Sequence, residues 1–177
     1  MSARLARFYC SLFVGSLVVL SACQSGPPIQ NGEFQDEQVH YKIATPGSTW
    51  EDISPGEADA AWINESLNAM LMVNSHCSGV DDAPLTALTR HLAFGMTERE
   101  WLSEDLVQLS GREALESVLV AKLDGVPRKF MFLVLKKDGC VYDVVLSAPP
   151  EDFQKARLGY DRMRKKFSVL ERSDVDS

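Results

Sequence analysis

The chain has 177 residues, 45% of them hydrophobic, with 18 basic residues against 25 acidic and a net charge of −7. That length makes one domain the default, and that apolar content excludes an intrinsically disordered chain. The acidic balance argues against nucleic acid as a partner, because phosphate binding needs clustered positive charge.

Arg4 and Arg7 form a short basic head, followed by a 13-residue, mostly apolar run from Phe8 to Leu20 that includes Ser11, Gly15 and Ser16. A bilayer-spanning helix needs about 20 apolar residues, so this run suits the apolar core of a secretory signal better than a permanent span. Leu20-Ser21-Ala22-Cys23 comes next. It resembles the lipobox of bacterial lipoproteins: an aliphatic residue, two small residues, then Cys. In that family the Cys thiol receives diacylglycerol and the chain is cut just before it. The new amino group is usually acylated as well, for instance with palmitate. The resemblance implies a signal peptide over residues 1–22, a lipidated Cys23, and a membrane-anchored body in the cell envelope facing the periplasm. Gln24, where Asp would signal inner-membrane retention, favours the outer membrane if the source has one. Two or three acyl chains give lasting anchorage at ~0.8 kcal/mol per buried CH₂. An uncleaved anchor and a buried core helix are the alternatives. Removal of residues 1–22 leaves 16 basic residues against 25 acidic, a net charge of −9.

Residues 23–38 hold two prolines and two glycines among polar residues, and read as the lipidated Cys and a flexible tether. The folded domain is expected over residues 39–172. Val39, Tyr41 and Ile43 alternate with His40 and Lys42, which predicts a strand over Val39–Ala44 with His40 exposed. Pro46-Gly47 breaks it, and Trp50 falls in an acidic loop with Pro55 and Gly56. Asp59–Asn64 and Ala69–Ser75 read as the next two strands. Asp81-Asp82-Ala83-Pro84 reads as a helix start, with an acid as cap and Pro in the first turn. Leu85, Leu88 and Leu92 then keep helical spacing, and Gly95 suits the carboxyl cap. Thr97-Glu98-Arg99-Glu100 suggests another short helical turn containing Trp101, while Leu106, Val107 and Leu109 fit strand or turn.

The carboxyl-terminal half is organised by Asp124-Gly125 and Asp138-Gly139. Asp-Gly between extended runs is the strongest local hairpin signal, because a tight primed turn needs positive φ. Two in succession predict a three-stranded meander, with Glu113–Leu123 as its first strand (a helix being the alternative there). The unbroken apolar run Phe130–Leu135 predicts a middle strand covered on both faces. Val141–Leu146 is the last strand. Pro149-Pro150-Glu151-Asp152 starts a final helix whose apolar stripe is Phe153, Ala156, Tyr160, Met163, Phe167 and Leu170. Residues 173–177 read as a frayed tail.

The order of three strands, a helix, three strands and a helix predicts an α+β domain. Its antiparallel sheet has about six strands, covered by helices on both faces. With Ile43-Ala44-Thr45-Pro46 near its start and Phe167 near its end, it resembles the PsbP-like fold. That fold is shared by the photosystem II extrinsic protein, a Ran-binding nuclear-import factor and DcrB-type bacterial lipoproteins. The resemblance implies an α/β/α sandwich and a non-enzymatic binding or assembly role with a protein partner.

Cys10 leaves with the signal and Cys23 is acylated, so Cys77 and Cys140 remain. Export places them in an oxidising compartment, where paired cysteines form disulfides. Cys77 ends one expected strand and Cys140 begins another, so the two can meet at one end of the sheet. Their bridge would close a loop of about 63 residues, worth up to roughly 4 kcal/mol. Two free buried thiols are one alternative. The other is an envelope enzyme or metal binder with a site near Cys77, Cys140 and His76. By residue type His76, Cys77, His91 and Cys140 make a zinc set, yet no CxxC or HxxxH spacing supports it, and strand neighbours face opposite ways. No Gly-x-Ser-x-Gly, Ser-x-x-Lys or phosphate-cradling glycine loop is present. The expectation is therefore no catalytic residue, no metal and no cofactor. Asp143, inside an apolar strand, is the acid that stands out, either bonded at a strand end or to an Arg such as Arg112, or touching a ligand in a cleft. The cationic stretch Arg157–Lys166 reads as a solvated helix face, with anionic lipid as the alternative. Met70, Met72, Met131 and Met163 read as core filler.

Overall fold

The structure, a computed structural model, describes residues 29, 31–53, 58–78 and 82–170. The signal, the lipobox with Cys23, Asp81 and the expected frayed tail lie outside the described residues.

The three carboxyl-terminal strands follow from their turns. Asp124 (φ 52°) and Gly125 (φ 80°), then Asp138 (φ 53°) and Gly139 (φ 76°), place both central residues of each turn at positive φ. That is the primed geometry that matches strand twist. Arg112–Leu123, Val126–Lys137 and Cys140–Ala148 are accordingly hairpin-connected neighbours. A third turn of the same kind, Ser110 (φ 50°) and Gly111 (φ 76°), adds Thr97–Leu109 before them.

In chain order the strands are β1 (Glu33–Gln35), β2 (His40–Lys42), β3 (Glu51–Ile53), β4 (Ala60–Asn64), β5 (Ala69–His76), β6 (Thr97–Leu109), β7 (Arg112–Leu123), β8 (Val126–Lys137), β9 (Cys140–Ala148) and β10 (Ser168–Val169). The helices are α1 (Leu85–Leu92) and α2 (Phe153–Lys166). Seven strands make one antiparallel sheet in the order β3-β4-β5-β9-β8-β7-β6. A second sheet of three antiparallel strands has the order β1-β2-β10.

The expected single sheet of about six strands is thus corrected to a sheet of seven and a sheet of three. The strand expected at Val39–Ala44 belongs to the small sheet. β1 lies in the segment read as tether, and its Phe34 is buried. Residues 97–101 are strand, not a helical turn. Here backbone pairing with β7 overrides helix-favouring Glu and Arg. Two register shifts interrupt that pairing, one beside Glu98, whose φ is 49°. Bulges and charges of this sort blunt an exposed edge strand.

Phe130–Leu135 is buried at every position. Adjacent residues of a strand point to opposite sides. Val134 and Val141 pack with Leu85, Leu88 and Leu92 of α1, whereas Met131, Leu133, Tyr142 and Val144 share a cluster with Phe153, Ala156, Tyr160 and Met163 of α2. The small sheet joins that second cluster through Phe34, Tyr41 and Val169. Tyr41 meets Tyr142 edge-on with ring centroids 5.7 Å apart.

α1 starts, and α2 stops, differently from expectation. Pro84 occupies the amino cap of α1 in extended conformation with no side-chain cap bond, so no acid caps this helix. α2 ends at Lys166. Phe167 turns extended (φ −68°, ψ 127°) and stays buried against Tyr41 and Tyr142, so the stripe outlasts the helix. Gly159 of α2 lets Trp50 lie directly on the helix: a Cβ there would sit 2.9 Å from Trp50 Nε1.

Candidate functional site

β5 and β9 are paired down to His76↔Val141, which leaves Cys77 beside Cys140 at the end of the pair. The two sulfurs are bonded at 2.07 Å across a sequence separation of 63 residues. Cys140 is buried and Cys77 half-buried against the α2-side cluster. The bond removes both thiols from metal ligation and from nucleophilic chemistry. His76 is exposed, and its Nε2 lies 3.2 Å from Ser78 Oγ. His91 is exposed in the last turn of α1. His40 is half-buried, not exposed as expected, and its Nε2 meets Glu33 at 3.1 Å. Among the described residues, no three His, Cys, Asp or Glu side chains are placed to hold a metal ion.

Two acids are withdrawn from water near this end of the sheet. Asp143 sits mid-strand in β9, opposite Asn74 and Val134, and does not meet Arg112. By alternation with Val141 and Val145 it faces the α1 side. Its Oδ1 is buried and has no hydrogen-bond partner. Burial first, and the charge of Asp59 second, push its carboxyl up to about 7. Asp59 is differently placed. It accepts bonds from Tyr41 Oη at 2.8 Å and Ser75 Oγ at 2.6 Å. Burial still holds it above the usual carboxylate range, against the pull of those two donors. Burial and the neighbouring Asp59 raise the Tyr41 phenol far above its ordinary value. Tyr41 therefore stays a hydrogen-bond donor at every physiological pH and pins the small sheet to the large one.

Part of the cationic stretch on α2 turns inward. Arg162 donates to the Pro46 carbonyl. Arg164 lies 2.8 Å from Glu116 of β7, which also accepts from Tyr160 Oη at 2.8 Å. These contacts correct the reading of Arg157–Lys166 as a wholly solvated face. Arg157 is half-buried, with its Nε out of water and 3.6 Å from Asp161.

Two of the surface clefts among the described residues bear on the site. One, of about 470 Å³, lies between Leu85 of α1 and the β6–β7 turn, with Arg112, Glu113 and Lys136 on its walls. The other, of about 430 Å³, lies beyond α1 over Ile63 and Met70, with Arg128 at one wall. Met131 and Met163 are core, as expected, but Met70 is half-buried and lines this second cleft. Sequence reasoning passed over Arg128. The signal was available: it alternates with Phe130 and Phe132, so it continues an apolar row with a charge.

No protein-family profile matches the sequence, and a comparison with curated proteins finds no match. Solved structures do match. Cyanobacterial PsbP (CyanoP) from Synechocystis sp. PCC 6803 aligns at a TM-score of 0.56 and 14% identity, over 78% of this chain and 91% of that one. LpqN of Mycobacterium tuberculosis, described as involved in cell envelope biogenesis, aligns at 0.56 and 12%, over 82% and 90%. The Saccharomyces cerevisiae Ran-binding protein Mog1p aligns at 0.55 and 13%, over 76% and 91%. At these identities the likeness is one of fold, and the chain has a PsbP-like fold. No helix among the described residues is long and apolar enough to cross a membrane.

Proposed function

We propose that this chain is a lipid-anchored protein of the bacterial cell envelope. Cys23 is acylated after removal of residues 1–22, and a PsbP-like domain, an α/β/α sandwich, hangs from it in the periplasm. The domain works by binding or assembling with a protein partner, without catalysis, and the outer membrane is the favoured site. The observation that carries this reading is the Cys77–Cys140 bond, which belongs in an oxidising compartment. Leu20-Ser21-Ala22-Cys23 supplies a route there. The role of LpqN in envelope biogenesis and the Ran binding of Mog1p support a binding or assembly task for this fold.

The intact mass of the protein purified from membranes tests the anchor. The expected mass lacks residues 1–22 and gains a diacylglyceryl group and an amide-linked acyl chain. Cys23→Ser should release the protein into the soluble fraction. A native product that keeps residues 1–22 and an unmodified Cys23 would refute the reading. Crosslinking in native membranes, read by mass spectrometry, should recover one recurrent protein neighbour.

A further inference from the structure

On the side of the sheet that carries α1, one cross-strand row runs through Ile63 of β4, Met70 of β5, Ser147 of β9 and Phe130 of β8. At its Phe130 end the row is buried with Leu92, Ala93 and Met96. At its other end Ile63 and Met70 remain half-buried and floor the cleft of about 430 Å³, with Arg128 as a wall and Glu65 and Asn68 among its lining.

Arg128 is half-buried, and burial lowers its pKa, so its surroundings disfavour the charge. Its Nε donates to Ser147 Oγ at 3.0 Å, and it makes no ion pair with any acid among the described residues. A cation drawn partly out of water is ordinarily answered by an anion. Arg128 lines the cleft together with Ile63 and Met70, and among the described residues no side chain bonds to its outer guanidinium nitrogens.

We infer that this cleft binds a single-chain amphiphile with a monoanionic head, a medium-chain fatty carboxylate. The head lies on the outer nitrogens of Arg128, whose planar fork matches a carboxylate. The tail lies along Met70 and Ile63. Methionine is unbranched and polarizable, and adapts to a flexible chain. The exposed Glu65 opposes a second negative charge, which selects a carboxylate over a phosphate dianion. The cleft falls in the size range of small-molecule sites, about 300–1,000 Å³.

The test uses the full chain in phosphatidylcholine nanodiscs with a diazirine derivative of decanoic acid, photolysis, and peptide mass spectrometry. Labelling is expected on the peptides carrying Ile63–Met70 and Arg128, and unlabelled decanoate should compete it away. Arg128→Gln should weaken it about tenfold or more, the loss of one charge-assisted contact. Equal labelling of Arg128→Gln, or equal labelling by the corresponding diazirine alcohol, would overturn the anionic head. Labelling spread over the whole surface without competition would overturn the site. If Arg128→Gln fails to fold, judged by circular dichroism and retention of the disulfide, Met70→Glu decides. A carboxylate on the floor should abolish labelling, and undiminished labelling would overturn the proposal.

Discussion

Asp143 costs this protein stability at neutral pH. Its carboxyl titrates near 7 in the fold, against an ordinary value of 3.8. Between those two values the unfolded chain has lost the proton and the native chain keeps it. The native state binds more protons, so stability falls as pH rises from about 4 to about 7, and the loss is complete above that. A difference of about three pH units corresponds to about 4 kcal/mol. Asp143→Asn removes the charge and nearly keeps the shape. At pH 8 it should stabilise the protein by up to about 4 kcal/mol, and at pH 4 it should change little. For a chain of this size that gain is on the order of 10 °C in Tm.

The assay is urea unfolding of the oxidised protein from pH 4 to pH 9, with parent and variant compared at each pH. The two stability curves should coincide at the acid end and diverge towards pH 7. Curves that stay parallel across the range would refute the reasoning, as would a variant less stable than the parent at pH 8. Asp59→Asn tests the second cause. It removes the charge that faces Asp143, so the fall in stability from pH 4 to pH 7 should be shallower than in the parent.

Reduction of Cys77–Cys140, or its replacement by two serines, should cost about 4 kcal/mol for a 63-residue separation, seen as a lower urea midpoint. Gly159→Ala would ordinarily gain up to about 1 kcal/mol in a helix. Here the new Cβ meets Trp50 at 2.9–3.0 Å, so a net loss of about 1–2 kcal/mol is expected, together with a shift in tryptophan emission. Tyr160→Phe removes a donor to Glu116 and should cost about 1.5–3 kcal/mol by chemical denaturation.

Local chemistry made the meander legible. Asp124-Gly125 and Asp138-Gly139 each specify a turn that few other residue pairs tolerate, and Phe130–Leu135 is too apolar to lie anywhere but between two covers. Ser110-Gly111 makes the same turn with a weaker signature, so β6 was hidden behind it. The polar edge strand Thr97–Leu109 has helix-favouring residues at its start and no alternation to betray it. The small sheet was hidden for a different reason. β2 is bonded to β10, and the pairing Tyr41↔Val169 joins the two ends of the domain. Nothing within a window of ten residues records such a partner. Phe167 misled in the same way, because burial keeps helical spacing going after the helix has stopped. Of the candidate site residues, Cys77 and Cys140 were legible because each falls at the end of an expected strand, where a bridge can form. Arg128 was not, because what sets it apart is the absence of an acid beside it among the described residues, a property of three-dimensional neighbours.

The disulfide and the Arg128 cleft lie at opposite ends of the β5–β9 pair. Met70↔Ser147 is one end of its register and His76↔Val141 the other, with the bridge just beyond. At about 3.3 Å per strand residue the two are separated by about 20 Å. The Tyr41–Asp59–Ser75 bonds, which hold the small sheet in place, belong to the disulfide's half of β5. The bridge therefore stabilises the end where the amino-terminal segment joins the large sheet, and leaves the cleft end to its own packing. Loss of the bridge should lower the unfolding midpoint without changing labelling by the decanoic acid probe, measured at a temperature where the reduced protein is still folded. A parallel loss of both would mean that the two ends of β5 and β9 are coupled, and that the cleft is not the independent site its distance from the bridge implies.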